Sequence, residues 1–328
     1  MVNSWFIRPQ CNGHRKMNNT TPKTIRLAEY RPPDYQVAHV QLAFDLDRES
    51  TEVRARLEVR RTAGAAGRPF LLDGDELDLV SVALDGRRLG PGDYGLDVAT
   101  LSIPAPPEAF VLETVTRINP AANTRLEGLY VSNGTFCTQC EAEGFRRITY
   151  FPDRPDIMAT YEVTIRANHE LAPVLLSNGN LVAERALGDG RHEAVWHDPH
   201  PKPSYLFALV AGRLEALRDR FTTRSGRAVG LAIYVEPGNS ARAAYAMDAL
   251  KRAMAWDEMR YGLEYDLDLF NIVAVSDFNM GAMENKGLNV FNSKYVLADP
   301  ATATDAAYAT TAAILPPGYS HNWPGTRA

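Results

Sequence analysis

Near its C-terminal end the sequence holds a histidine in a context typical of a metal-binding helix. Two histidines four residues apart on one helical face can hold a single zinc ion, and a glutamate beside the first can activate a metal-bound water. His321 occupies the second histidine position of such a set, but Pro317 stands at the first and Gly318 at the base position. Since proline cannot coordinate zinc and glycine cannot accept a proton, the set is incomplete.

The same residues affect the predicted local structure. Each proline inside a helix costs about 3 kcal/mol, and residues 316 to 318 read Pro-Pro-Gly. We therefore expect a helix that begins near residue 304 and ends at about Leu315. His321 would then lie on loose chain as a surface histidine.

Two further pairs have ligand-like spacing, His197-Asp-Pro-His200 and Cys137-Thr-Gln-Cys140. Prolines flank the histidines, which favours a structural loop. The cysteines have neither two further zinc ligands nor the strand and helix of a thioredoxin-like site, so two ordinary thiols in a loop are favoured over a metal or redox role. With Cys11 the cysteines number three, too few for a disulfide framework.

Three glutamates lie in weakly charged or glycine-containing stretches: Glu141 and Glu143 in "CTQCEAEGFR", and Glu284 in "MGAMENKG". A carboxylate in such a loop can meet a cation at close range, and the glycine lets a ligand backbone approach. The alternative is an ordinary solvated glutamate in a turn.

Composition limits the class of protein. The 328 residues are 45% hydrophobic and 23% charged, with a formal net charge of −5. This balance is typical of a globular protein and gives no reason to expect nucleic acid as a partner. The longest apolar runs are far shorter than the roughly 18 residues of a membrane helix, and residues 1 to 23 lack the apolar core of a secretory signal. We therefore expect a cytoplasmic protein without a membrane partner.

Period-two alternation of apolar and polar residues predicts strands through much of the chain. Two such strands flank residues 47 to 50, and others lie near residues 80 to 84 and 161 to 165. Short strands between turn residues are typical of an antiparallel β-sandwich. From residue 240 the pattern changes to a helix capped by Asn239 or Ser240 and stopped at Gly262. Two strands follow: "LFNIVAV" (269 to 275) and "LNVFNSKYVL" (288 to 297).

Six blocks, in this order, resemble the aminopeptidase N family of zinc exopeptidases, in its bacterial type. They are "PAANTRLEGLY" (120 to 130), "CTQCEAEGFRRITYFPDRPD" (137 to 156), "LLSNGN" (175 to 180), "KPSYLFALVAG" (202 to 212), "FTTRSGR" (221 to 227) and "FNMGAMENKGLNVFNSKYVL" (278 to 297). The resemblance implies a mainly β N-terminal sandwich domain followed by an incomplete α+β, thermolysin-like catalytic domain. The implied division is an unassigned segment 1 to 24, the sandwich 25 to 220 and the truncated catalytic domain 221 to 328.

The resemblance also implies how a substrate is recognised. The family binds peptides with a free N-terminus, and the glutamate of GAMEN, here Glu284, holds the α-amino group with help from Glu141. Gln139 and Met280 match positions that line the pocket for the first side chain, and the backbone of GAMEN pairs with the substrate as an added strand. The substrate-binding positions so implied are Gln139, Glu141, Met280, Gly281, Ala282, Met283, Glu284 and Asn285.

The family also needs the His-Glu-x-x-His helix, a third zinc-binding glutamate and a tyrosine that stabilises the oxyanion. Pro317 and Gly318 depart from this pattern, and the sequence ends at Ala328 before the last two residues could occur. No catalytic residue is then intact, and His321 is the only surviving zinc ligand position. We expect a fragment that neither binds zinc nor hydrolyses peptides. The alternatives are a non-catalytic module that binds peptide N-termini and a structural sandwich without a ligand.

Overall fold

The structure is a computed structural model that describes residues 26–323. The described residues divide into two units at Pro32 and Pro33. The described part of the first unit contains a short 3-10 helix, Leu27–Glu29. The second unit contains all of the strands and both α-helices named below.

The described chain is mainly β, as the sequence predicts. Its strands are β1 (Tyr35–Asp45), β2 (Thr51–Arg61), β3 (Phe70–Asp73), β4 (Asp78–Leu84), β5 (Arg87–Arg88), β6 (Gly95–Leu96), β7 (Thr100–Ile103), β8 (Ala109–Ile118), β9 (Gly128–Ser132), β10 (Thr135–Gln139), β11 (Ala159–Asn168), β12 (Val174–Ser177), β13 (Asn180–Ala186), β14 (Arg191–Lys202), β15 (Leu209–Gly212), β16 (Glu215–Thr222), β17 (Ala228–Val235), β18 (Leu269–Val275), β19 (Ala282–Met283) and β20 (Leu288–Asn292). Its α-helices are α1 (Ala244–Tyr261) and α2 (Asp305–Ser320).

The N-terminal part is built on an eight-stranded sheet of order β13-β14-β11-β1-β2-β8-β4-β5. Strands β1 and β2 form the predicted hairpin, with Asp45 opposite Glu52. Strand β11 runs parallel to β1, so the sheet is mixed and not purely antiparallel. A four-stranded sheet, β12-β15-β10-β9, shares one apolar core with it. Within this core Phe44 of β1 stacks on Phe207, with ring centroids 6.0 Å apart.

The C-terminal part is a five-stranded sheet of order β16-β17-β18-β20-β19 with α1 and α2 packed against it. Strands β17, β18 and β20 run parallel, and the edge strands β16 and β19 run antiparallel to their neighbours. Met247, Leu250 and Met254 of α1 are buried in this second core, as their helical spacing predicts. The mixed α and β character is therefore confirmed.

Helix α1 ends as predicted but begins later. Gly262 caps it in the left-handed conformation, with φ 70°, and its N–H bonds to the carbonyl of Glu258. Asn239 and Ser240, the predicted caps, belong instead to the start of a 3-10 helix, Ser240–Ala243, that leads into α1. The predicted strand 288 to 297 is also shorter, because β20 ends at Asn292 and its side chain caps a 3-10 turn.

The prediction that α2 ends at Leu315 is wrong. Thr304 caps the helix as expected, since its hydroxyl accepts a hydrogen bond from the N–H of Ala307 at 3.3 Å. The helix then continues through both prolines to Ser320. The physical reason is burial beyond the prolines: Tyr319 is 1% exposed and packs on Tyr265 and Phe270. Burial of an aromatic ring is comparable in size to the cost of a helical proline.

Candidate functional site

The GAMEN segment forms a hairpin at the edge of the five-stranded sheet. Ala282 and Met283 make up β19, which pairs antiparallel with β20 and is the outermost strand of this sheet. The carbonyl of Gly281 accepts a hydrogen bond from the N–H of Asn292 at 3.0 Å, which extends the pairing by one residue. Met280, just before the strand, is 38% exposed. One edge of β19 is therefore directed away from the sheet, where an extended peptide could pair with it.

Residues 284 to 287 form the turn between β19 and β20. Gly287 has φ 73°, and a Cβ built there would lie 3.2 Å from the backbone N of Gly179, so the turn needs glycine at this position. Asn285 is 1% exposed, and neither atom of its amide has a hydrogen-bond partner among residues 26–323. Glu284 is the first residue of the turn, and its side chain is 25% exposed.

The second predicted glutamate comes from a different sheet. Gln139 is the last residue of β10 and is 1% exposed. Its Nε2 donates to the carbonyl of Glu141 at 3.3 Å, while its Oε1 is buried without a partner within the described chain. Because β10 is held on both sides, by β9 and β15, it places Glu141 just beyond a rigid strand end.

Glu141 and Glu284 lie close enough for their charges to interact. Partial burial raises the pKa of Glu141 above its ordinary value, the Glu284 carboxylate raises it further, and His321 opposes both effects. The same two carboxylates act on Tyr205: burial raises the pKa of this phenol first, and the charges of Glu141 and Glu284 add to it. Two carboxylates whose charges disfavour each other can both be stabilised by a cation placed between them.

His321 lies at the end of α2 and faces the glutamates. Its Nδ1 is 3.8 Å from Oε1 of Glu284, and its side chain is 48% exposed. Its backbone N–H bonds to the carbonyl of Pro317 at 3.0 Å. The expectation that His321 lies on loose chain is therefore wrong, because the helix that carries it continues past the prolines.

The residues at the expected zinc position do not fit a metal ion. Pro317 offers no donor, and Gly318 packs so closely that a Cβ there would lie 2.9 Å from Cζ of Phe291. Among residues 26–323 no group of three or more His, Cys, Asp or Glu side chains could hold a metal. His321 is thus a single ligand where a four-coordinate zinc needs three or four protein ligands.

In the other two ligand-like pairs, both histidines and the first cysteine lie on strands, and only the second cysteine lies in a loop. Cys137 is on β10 and fully buried, since β10 is a central strand; Cys140 follows it and is also fully buried. Cys11 lies outside the described residues. His197 and His200 are on β14, which passes its prolines because an irregularity in its pairing with β11 absorbs residues 199 to 201.

One of the three glutamates selected from the sequence lies outside the site, and one tyrosine near the site has no signal in the sequence. Glu143 is a surface residue with a side chain 66% exposed, and it pairs with Arg146 at 3.3 Å. Nothing in the sequence points to Tyr205, although the charges of both glutamates help to raise the pKa of its phenol. It belongs to the block "KPSYLFALVAG", but nothing in its spacing connects it with residues 141 and 284.

Comparison with known protein families identifies the class to which this fold belongs. Residues 32–206 match the Peptidase M1 N-terminal domain and residues 245–327 match the Peptidase family M1 domain. The chain belongs to the M1 family of metallopeptidases.

Similar proteins carry aminopeptidase names. Aminopeptidase N of Caulobacter vibrioides is 57% identical over 311 residues, which are 95% of this chain and 36% of that protein. Aminopeptidase N of Escherichia coli K12 is 53% identical over 91% of this chain and 34% of that protein. The chain thus spans about a third of the length of the curated relatives it matches.

A solved structure is similar in fold. Aminopeptidase A of Legionella pneumophila, in complex with aspartic acid, superposes with a TM-score of 0.89 at 38% identity. The match covers 92% of this chain and 36% of that one. Among the described residues, no helix combines the length and apolar character needed to cross a membrane.

Proposed function

We propose that this chain is part of a zinc aminopeptidase that removes single residues from the N-termini of peptides, and that Glu141 and Glu284 recognise the free α-amino group. The observation that carries the proposal is that Glu284 directly follows the outer strand β19 and lies close enough to Glu141 for their charges to interact. An ammonium between two carboxylates gains charge-assisted hydrogen bonds, and holding it there fixes where the peptide begins. The backbone of β19 would pair with the first residues of the peptide.

The relatives support this assignment. Family members at 53% and 57% identity are aminopeptidases. The Legionella aminopeptidase A was solved with aspartic acid, which also carries a free α-amino group. Gln139 and Met280 would contact the first side chain, and Asn285 would support the turn that carries Glu284.

We further propose that the chain, with Pro317 and Gly318 in these positions, neither binds zinc nor hydrolyses peptides. When bound, zinc supplies a polarised carbonyl and an activated water. The residues that would hold it and take the proton from that water are replaced by Pro317 and Gly318. Purified chain should show no hydrolysis of an aminoacyl anilide, and hydrolysis that a chelator abolishes would contradict this.

The second candidate function is binding of peptide N-termini without cleavage. It is favoured because Glu141 and Glu284 are present together while the metal set is not. Calorimetry with a short unblocked peptide and its N-acetylated form tests the recognition step common to both candidates. Loss of one charge-assisted hydrogen bond predicts an affinity lower by about 10- to 100-fold for the acetylated peptide.

Two variants make this test specific. Glu284→Gln removes the proposed ammonium partner and should abolish the preference for the free amine. Glu143→Gln is the matched control, since Glu143 lies two residues from Glu141 but pairs with Arg146 at the surface. Equal binding of both peptides by the unaltered chain would refute amine recognition.

A further inference from the structure

A buried ion pair lies behind the turn that carries Glu284. The ammonium of Lys286 is 2.8 Å from each carboxylate oxygen of Asp266 and donates to Oδ1 of Asn322 at 2.7 Å. The Lys286 side chain is 1% exposed and that of Asp266 is 10% exposed. The side chain of Lys286 therefore points into the protein, whereas Glu284, two residues earlier, faces the proposed amine site.

The backbone of the same turn is held from two other directions. The amide of Asn178, which follows β12, donates to the carbonyl of Lys286 at 2.9 Å and to that of Leu206 at 3.0 Å. The N–H of Asn271, on β18, donates to the carbonyl of Gly287 at 3.0 Å. Side chain and backbone together leave this turn little freedom to move relative to the sheets.

Asp266 also contacts the end of α2 and strand β14. Nδ2 of Asn322, one residue after His321, donates to Oδ1 of Asp266 at 3.3 Å. On the sandwich side, Nε2 of His200 lies 3.4 Å from Oδ2 of the same carboxylate. Asp266 and Lys286 thereby connect the GAMEN turn, the end of α2 and strand β14.

Burial of such a pair contributes little net stability, because desolvation of the two charges offsets most of their attraction. What the pair does supply is a defined geometry. We propose that Lys286 is a positioning residue of the amine site: held by Asp266 and Asn322, it fixes the turn that carries Glu284 against the end of α2. This inference rests on the proposed function, since it assigns Lys286 a part in amine recognition.

The chain contains a matched control pair. Lys202 and Asp198 form an ion pair of 3.0 Å in which both side chains are fully buried, and the Lys202 ammonium lies 3.7 Å from the ring centre of Tyr161. Both residues are on β14 and neither is on the turn. Removing both charges of either pair leaves no member of that pair buried without its partner. Lys202 lies close enough to Lys286 for their charges to interact, so the control tests whether loss of a neighbouring buried pair outside the turn has the same effect.

The experiment compares Asp266→Asn/Lys286→Met with Asp198→Asn/Lys202→Met in the full chain. Calorimetry measures the preference for an unblocked peptide over its N-acetylated form, and hydrogen exchange reports on residues 282 to 288 and 318 to 323. We expect the first double variant to lose about tenfold or more of the preference and to exchange faster in both segments. The control should retain both properties of the unaltered chain.

Two results would overturn the inference. One is a preference within about twofold of the original together with unchanged exchange in the first double variant. The other is an equal loss in the control, which would indicate general destabilisation.

Two further outcomes separate the claims. If the unaltered chain shows no preference but exchange rises only in the first double variant, the proposed function fails while the fixing of the turn stands. If that double variant does not fold, the single variant Asn322→Leu removes the hydrogen bonds that link Lys286 and Asp266 to the end of α2. This variant should speed exchange in residues 318 to 323, and unchanged exchange there would refute the tie.

Discussion

Replacing Tyr319 by alanine should detach the end of α2 from the protein. Residues 316 and 317 are prolines, and each helical proline costs about 3 kcal/mol relative to alanine. Tyr319 lies directly beyond them, is 1% exposed, and has its ring centre 5.5 Å from that of Phe270 and 5.9 Å from that of Tyr265. Truncation of a buried aromatic residue costs about 3 to 5 kcal/mol, so it removes most of what holds this turn in helical form.

The structure offers a conservative control at the same position. The hydroxyl of Tyr319 is buried without a hydrogen-bond partner within the described residues. A buried polar group in that state is unfavourable by about 1 to 3 kcal/mol, so Tyr319→Phe should leave the free energy of unfolding unchanged or raise it. The ring is therefore expected to account for the whole effect of the alanine variant.

Denaturant unfolding and hydrogen exchange measure the two parts of this prediction. Tyr319→Ala should lower the free energy of unfolding by about 3 kcal/mol or more and speed exchange after residue 315, while Tyr319→Phe does neither. A loss below about 1 kcal/mol on Tyr319→Ala would show that the ring does not hold the helix past its prolines. An equal loss on Tyr319→Phe would instead assign the effect to the hydroxyl.

Three other predictions concern the metal position, the carboxylates and a helix cap. The double variant Pro317→His/Gly318→Glu supplies only two histidine ligands, so it should still lose zinc on dialysis, as the unaltered chain does, when measured by metal analysis; stoichiometric zinc in either protein would contradict this. Binding of an unblocked peptide should weaken as pH falls through the raised pKa of Glu141, above the ordinary 4.5, because protonation removes the charge that attracts the ammonium; Glu141→Gln should remove this transition from a calorimetric pH series. Gly262→Ala should lower the unfolding free energy by about 1 to 2 kcal/mol in denaturant, since φ is 70° there, and an unchanged midpoint would refute the need for glycine.

Local patterns predicted the elements whose causes are local. The β1–β2 hairpin follows from alternation on either side of residues 47 to 50, and the end of α1 follows from one glycine. The end of α2 could not be predicted in this way, because the ring that carries the helix past its prolines packs on residues about fifty positions earlier in the chain. Strand β14 likewise continues through its prolines because residues 199 to 201 form an irregularity in its pairing with β11.

The candidate site also contains some residues that the local sequence indicates and others that it does not. Glu284 and Glu141 stood out through unusual neighbours in the sequence and through resemblance, and the structure places them together. The cluster behind them was not predictable, because Lys286, Asp266, Asn322 and His200 come from four separate segments with no common spacing. Only the fold reveals that a lysine next to GAMEN points inward.

The location of these groups bears on how amine recognition and hydrolysis can be separated. Glu141 follows β10 and Glu284 follows β19, so both come directly after sheet strands and neither belongs to α2. Pro317 and Gly318 remove a metal ligand and a base from α2 without touching either strand. Helix α2 meets this edge through His321 beside Glu284, Asn322 bonded to Lys286 and Ile314 beside Gly281. None of these contacts involves Pro317 or Gly318, so the proposed recognition geometry does not require the zinc-binding residues. The second candidate function, binding of a free peptide N-terminus without cleavage, therefore requires only residues outside the expected zinc position.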